Sequence, residues 1–226
     1  MRFLPLPFLL SFNGGYVDTI GFLALGGLFT AHVTGNFVTL GATVATGSGG
    51  TLAKLLALPM FCVIVLLTRV GSTLLKNNGL AVLRPLLLTK LVLLFVVAVL
   101  AVSYGPFRDA NSGASLAIGM TMIAAMAIQN ALHRVHLTKS PPSTLMTGTT
   151  TQIMLDLADL ISRRPVEDVT AAKMRLKRMI FSVIAFASGC ALAAGAFVLS
   201  PVWCFAVPVL VSALAFIAKV ATPEGD

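Results

Sequence analysis

Two short threonine-glycine motifs hold the side chains of this sequence that are best suited to bind a small ligand. The first runs from His32 to Asn36 with the sequence HVTGN, and the second from Leu145 to Thr149 with the sequence LMTGT. Hydroxyl and amide groups hydrogen-bond polar ligands, and glycine lets the backbone approach a ligand closely. The motifs lie about 113 positions apart in similar surroundings, which predicts a duplicated unit and one site where the two copies meet. The candidate binding residues are Thr34, Gly35 and Asn36 in the first motif and Thr147, Gly148 and Thr149 in the second.

Polar residues in the apolar segment before each motif extend this set of candidate binding residues. Asn13 and Asp18 precede the first motif, and Gln129 and Asn130 occupy the comparable place before the second. An ionisable side chain inside a spanning helix costs at least about 2.5 kcal/mol on insertion scales, so Asp18 is a candidate to carry a proton or to hold a cation. These polar residues also predict helix breaks, and Asp18 could alternatively cap such a break.

The composition places these residues in a membrane. Apolar residues make up 57% of the chain, charged residues make up 11%, and the mean hydropathy is +0.95. About 20 helical residues cross a hydrocarbon core of about 30 Å, and strand-type alternation is absent from the sequence. The sequence therefore predicts an all-α polytopic membrane protein with six transmembrane helices. They cover about residues 6–28, 52–75, 82–103, 113–134, 177–199 and 201–219.

Two further segments, 34–46 and 147–161, contain the motifs, and the first is too short to span comfortably. If both dip into the membrane and return, fourteen lysines and arginines lie on or nearest one side, and only Lys54 and Arg108 lie on the other. If both cross, the same residues divide ten against six. Cytoplasmic loops collect lysine and arginine, so the first arrangement is favoured. It predicts two short re-entrant half-helices and places both termini in the cytoplasm.

Each copy then contains three crossings and one re-entrant half-helix. An odd number of crossings inverts the second copy relative to the first, which predicts two inverted-topology repeats within a single membrane domain. Repeat one covers about residues 1–104 and repeat two about residues 112–220. The motifs would enter from opposite faces and meet near the bilayer midplane, where secondary transporters bind their substrates. Alternating access would come from one repeat moving against the other.

Residues at the start of each half-helix are candidates to cap it. Thr34 or Asn36 can cap the first half-helix, because their side chains can accept from free main-chain N–H groups. Ser143 or Thr144 can cap the second half-helix, which follows two prolines. We therefore expect capped helix N-termini at both motifs.

The remaining basic residues indicate contact with lipid. The basic stretch from Arg163 to Arg178 contributes much of the net charge of +8 and suits anionic lipid headgroups on the cytoplasmic face. Nucleic-acid binding would need a soluble module, for which the chain has no room, so none is expected. Arg69 and Lys90 lie within about two turns of the cytoplasmic boundary, where snorkelling of a long side chain explains both.

The sequence predicts no catalytic, metal or cofactor site. Cys62, Cys190 and Cys204 all lie in apolar spans, where cysteine behaves as a small hydrophobe. His133 and His136 lack a third ligand at metal spacing. No serine-histidine or cysteine-histidine pair lies at a compatible depth, so we expect neither enzymatic activity nor a bound cofactor.

The signatures themselves resemble a known family. The stretch from Phe12 to Phe22, the stretch from Phe29 to Asn36, the sequence MAIQNA from Met126 and the sequence MTGT from Met146 resemble the YoaK family of uncharacterised bacterial multi-pass membrane proteins, also described as DUF1275. The resemblance covers nearly the whole chain. It implies a bacterial inner membrane location, but the family's lack of settled biochemistry leaves the substrate open.

These observations favour a small secondary carrier or channel for a small polar or anionic solute. The alternative is a non-transporting scaffold, assembly factor or lipid-binding protein, because small residues and threonines also pack transmembrane helices closely. The chain is short for a transporter, so a homodimer is also expected. Its interface would use the small residues between Ser188 and Gly195.

Overall fold

The computed structural model describes residues 5–47, 49–107, 109–138, 140–162 and 169–221. Within these ranges the chain forms eight α-helices and one 3-10 turn, and no strand. The helices are α1 (Leu6–Ala24), α2 (Gly35–Thr46), α3 (Thr51–Asn77), α4 (Leu83–Tyr104), α5 (Gly113–His136), α6 (Met146–Ile161), α7 (Val169–Leu199) and α8 (Ala206–Ala221), with the 3-10 turn at Trp203–Phe205. The predicted all-α fold is confirmed. Arg2, Arg108, Lys139, Arg163 and Arg164 of the charge count lie outside the described residues.

Four helices in the described part are long and apolar enough to cross a membrane, namely α3, α4, α5 and α7. A membrane-embedded protein with several spans follows, whereas the number of six crossings stays a prediction. The predicted segments 34–46 and 147–161 both form short helices, since α2 has 12 residues and α6 has 16. α7 begins at Val169, earlier than expected, because residues 169–177 are mostly good helix formers.

The predicted helix breaks are absent, and that prediction is wrong. α1 runs unbroken through Gly15, and α5 runs unbroken through Asn130. The glycine serves close packing instead, because a side chain at Gly15 would collide with the carbonyl of Phe186. One at Gly189 would likewise collide with the carbonyl of Phe12. The backbones of α1 and α7 therefore touch.

Contacts along α1 and α7 show that these helices run parallel. The hydroxyls of Ser11 and Ser182 bond at 2.7 Å. One turn farther along both helices, Gly15 lies against Phe186. Residue numbers rise together on both helices, so their N-termini lie at the same end of the molecule.

α1 and α5 instead run antiparallel. The Gln129 side chain donates from Nε2 to the carbonyl of Leu10 at 2.9 Å, near the start of α1. Beyond the other end of α1, Leu25 lies near Gly119 in the first half of α5. Residue numbers therefore rise on α1 where they fall on α5. The largest apolar core cluster includes residues of both helices.

The helix pairs follow one pattern in the two halves of the chain. α1 packs on α7 and α8, while α5 packs on α3 and α4. α2 packs on α3, and α6 packs on α7. If each helix is exchanged with its counterpart in the other half, α1 with α5 and so on to α4 with α8, the same set of pairs results.

The ends of α1 and α2 lie at the same end of the molecule. A side chain at Gly26, just after α1, would touch Ala110. Gly50, just after α2, donates its N–H to Oδ1 of the neighbouring Asn111 at 2.8 Å. Gly47 and Gly50 adopt left-handed backbone with φ of 69° and 88°, which turns the chain from α2 into α3. The chain is therefore at the same end of the molecule when α1 ends and when α2 ends.

Candidate functional site

The carboxylate of Asp18 organises the connection between α1 and α2. Its Oδ1 accepts main-chain N–H bonds from Thr30 and Ala31, both at 2.7 Å. The Asp18 residue is buried. Main-chain N–H groups can only donate, so this oxygen is committed to holding the connection. Asp18 therefore anchors residues 29–36, the first motif segment, from inside the fold.

His32 meets the second oxygen of the same carboxylate. Its Nδ1 lies 2.6 Å from Asp18 Oδ2. The rings of Phe29 and Phe186 pack against the imidazole edgewise, at centroid distances of 6.4 and 5.6 Å. His32 lies in the connection between helices, and its hydrogen bond to Asp18 raises the pKa of the imidazole despite the opposing effect of burial. The backbone of Thr144, in the connection between α5 and α6, also raises this pKa.

Asn36 joins the two ends of the first motif segment, because both ends of its side-chain amide bond the main chain of Phe29. Its Oδ1 accepts from the Phe29 N–H at 2.9 Å, and its Nδ2 donates to the Phe29 carbonyl at 2.8 Å. The Phe29 ring also lies where a side chain at Gly35 would be. Thr34 occupies the N-cap position of α2 but makes no capping bond. The predicted caps are therefore wrong here, because the Asn36 amide is used by Phe29.

The second motif segment, residues 140–149, bonds to α5 in the same way. Thr144 donates its hydroxyl to Asn130 Oδ1 at 2.6 Å, and Ser143 accepts from Gln129 Nε2 at 3.0 Å. Because both hydroxyls serve α5, neither caps α6, which begins at Met146 without a side-chain cap. The predicted caps of the second half-helix are wrong for this reason.

Lys90 is the most deeply buried cation of the described residues. It is 1% exposed, and its Nζ donates to Gln129 Oε1 at 2.5 Å. The expected snorkelling of Lys90 to the headgroups is therefore wrong. Gln129 is fully occupied, since its Nε2 bonds Leu10 and Ser143. The Gln129 amide thus ties α4, α1 and the second motif segment together.

Each short helix is tied to the following long helix by one cation. Lys54 of α3 donates to Thr43 Oγ1 of α2 at 2.5 Å. Arg175 of α7 donates to both oxygens of Asp156 on α6, at 2.9 and 2.8 Å. Thr43 and Asp156 stand at the same distance along the chain from the glycine of their motif. The two ties therefore occupy equivalent places.

A cavity of about 400 Å³ lies where the two motif segments meet. Its volume is in the range of small-ligand pockets. The polar side chains of its lining include two arginines, and Leu145 of the second motif segment completes its wall. Most of its lining residues are apolar, and its polar lining residues are His32, Thr34, Arg69, Asn130 and Arg134. We refer to it as the anion cavity because two of its lining residues are arginines and none of those described is acidic.

The structure brings only some of the predicted residues to this cavity. Thr34 and Asn130 line it, whereas Thr149 is buried and bonds the Leu145 carbonyl of its own helix. Asn13 lies away from the cavity and donates to Ser212 of α8 at 2.8 Å. The side chains of Asp18, Asn36 and Gln129 hold the surrounding structure, as described above.

Thr147 and Gly148 lie on the exposed side of α6. A side chain at Gly148 would meet nothing within 4 Å. Sequence reasoning missed His32, Arg69 and Arg134. His32 has a detectable signal, since it opens the first motif, but the two arginines are recognisable only once α3 and α5 are packed together.

The fold and this site define an all-helical membrane protein with a polar junction between two motif segments. The chain belongs to the family described as protein of unknown function (DUF1275), whose model matches residues 6–218. The suspected family membership is thereby confirmed. No curated protein and no solved structure matches the chain.

Proposed function

We propose that this protein is a small membrane carrier for a small anionic solute, which binds in the anion cavity. The observation that carries the proposal is the charge of the cavity lining, where Arg69 and Arg134 line the same cavity as His32 and no acidic residue is among the described lining residues. The Thr34 hydroxyl adds a further donor, and the Asn130 amide, which already bonds Met126 and Thr144, keeps one N–H for an anion.

Helix directions support the re-entrant arrangement on which a carrier of this type depends. Three helices, α2, α3 and α4, lie between α1 and α5 along the chain. If all three crossed the membrane, α5 would run parallel to α1. It runs antiparallel, as expected if α2 returns to the face it came from. α7 runs parallel to α1 and hence opposite to α5, as expected if α6 also returns.

The inverted repeat is supported by matching contacts in the two halves. His32 meets Asp18, and Thr144 meets Asn130, with 14 positions between the partners in each case. The paired helices and the cation ties of α2 and α6 match in the same order. Carriers built this way bind their substrate between the repeats, which is where the anion cavity lies. The charge count places both termini of this carrier in the cytoplasm, and the family resemblance implies the bacterial inner membrane.

Anion uptake into liposomes tests the proposal. Purified protein is reconstituted, and uptake of nitrate, formate, acetate and phosphate is measured against empty liposomes. We expect uptake of at least one anion, and its loss in Arg134→Gln, because that change removes a cation from the cavity. Arg178→Gln is the matched control, since Arg178 is an exposed cation on α7 that does not line the anion cavity.

Equal uptake by the wild type and Arg134→Gln would contradict the proposal. Absence of uptake for all four anions would favour the alternative, in which the motifs only join helices. That alternative has its own support in the fully bonded amides of Asn36 and Gln129.

A further inference from the structure

His32 stands between two cavities. On one side lies the anion cavity, and on the other lies a cavity of about 310 Å³ whose lining includes Asp18, Phe22, Phe186 and Cys190. His32 lines both, and its side chain is 35% exposed. A titratable ring that reaches both spaces is placed to take a proton from one and release it to the other.

The groups facing this ring come from four helices. α1 supplies the Asp18 carboxylate, and α7 supplies the Cys190 thiol in the second cavity. α3 and α5 supply Arg69 and Arg134 across the anion cavity. Asp18 is the acid of this set and lies in contact with the ring, so its charge balances an imidazolium.

The two ring nitrogens serve different partners. Nδ1 is engaged by Asp18, so Nε2 is the nitrogen that takes up a further proton. The backbone of Thr144, in the second motif segment, also favours the protonated ring.

We propose that His32 binds one proton together with the anionic solute and releases both on the other side, which makes the protein a proton-coupled anion carrier. This inference rests on the proposed function. The proton comes from water at one cavity and forms the Nε2–H bond. It returns to water at the other cavity, with no other covalent bond made or broken. The hydrogen bond to Asp18 raises the pKa of His32, which agrees with a ring that binds a proton more readily than a free imidazole does.

Titration of His32 by NMR tests proton binding without any transport. The chain has three histidines, so the His32 signal is the one that survives in both His133→Gln and His136→Gln. We expect its pKa to lie above the ordinary value of about 6.5, to fall in Asp18→Asn, and to rise when the transported anion of the uptake panel is added. A pKa at or below the ordinary value, or one that the anion leaves unchanged, overturns the inference.

Proton movement in the same liposomes tests the coupling. A pH-sensitive dye inside the vesicles should report acidification with anion uptake by the wild type, and this signal should be lost in His32→Gln. His136→Gln is the matched control. Anion uptake without acidification, or acidification that persists in a folded His32→Gln, overturns the inference and leaves the proposed function standing. Absence of anion uptake by the wild type overturns the proposed function instead.

Discussion

The two oxygens of Asp18 face donors on different sides, with the main-chain N–H groups of Thr30 and Ala31 at one and His32 at the other. A buried carboxylate with this set of partners holds a chain connection and balances a neighbouring cation. Its main-chain partners therefore give Asp18 a positioning role in the site, and His32 is the group that we propose to exchange a proton.

Asp18→Asn is expected to destabilise the fold. An amide keeps one oxygen for the main-chain donors but places an NH₂ group beside His32, so a charge-assisted hydrogen bond is lost. Such a loss costs about 1.5–3 kcal/mol. Thermal unfolding in detergent measures it, with Asp109→Asn as the control, because Asp109 lies in an exposed connection. Equal unfolding temperatures for the wild type and Asp18→Asn would contradict this account.

The polar residues of the site could be predicted only where their own sequence context is unusual. Asp18 stands out because a carboxylate inside an apolar span is costly. The role of Lys90 could not be predicted, because sequence gives its depth along α4 but not the side that faces Gln129. The sequence predicts Asn36 as a ligand or a cap. Its bond to Phe29, seven positions earlier, depends on a loop conformation that the apolar pattern does not specify.

At the scale of elements, side-chain bonds to the following long helix hold the short helices α2 and α6 in place. The Arg175–Asp156 pair joins α6 to α7, and the guanidinium of Arg175 holds the pKa of Asp156 below its ordinary value. A carboxylate whose pKa is lowered on folding contributes stability above its ordinary pKa of about 4 and loses it as pH falls through the lowered value. The pair therefore persists at neutral pH.

Arg175→Gln is expected to loosen α6 without unfolding the protein. The buried Asp156 carboxylate would lose two hydrogen bonds and keep the one from Gln152 at 2.7 Å. Hydrogen exchange measured by mass spectrometry should become faster in α6 and stay unchanged in α2. The exposed Arg178, changed to glutamine, is the control, and unchanged exchange in α6 would show that the pair does not hold it.

The apolar pattern predicts where helices lie better than it predicts how they begin, end or bend. The predicted spans agree with the observed helices within a few residues at most ends. The start of α7 was missed because its first turns are basic and fall below an apolar threshold although they are helical. Breaks were predicted at Asn13 and its neighbouring glycines, since local sequence does not reveal that Gly15 meets the backbone of α7.

At the scale of the whole molecule, the membrane topology can be tested at two exposed positions. Asn78 follows α3, and Ser162 follows α6. If both motif helices return, both positions face the cytoplasm, whereas full crossings would place them on opposite sides. We expect Asn78→Cys and Ser162→Cys, in a chain without Cys62, Cys190 and Cys204, to react with an impermeant thiol reagent only from the cytoplasmic side. Labelling from opposite sides would end the six-crossing arrangement.

A homodimer stays a prediction, but the structure narrows its surface. Gly189 packs against α1, and Ala193 is also buried within the protomer. These two residues therefore cannot serve a second copy. The exposed face of the same stretch includes Ser188, Ala191 and Gly195.

The touching backbones of α1 and α7 determine which helices can move as one piece. α1 packs on α7 and α8, while α5 packs on α3 and α4, so each of these two helices packs mainly on helices from the other half of the chain. These contacts group α1 with α6–α8 and α5 with α2–α4, and α4 also packs on α8 between the two groups. Both motif segments run from one helix group to the other, since the first connects α1 to α2 and the second connects α5 to α6. In the proposed carrier a solute would bind between these two segments, so movement of one helix group against the other would change its surroundings directly.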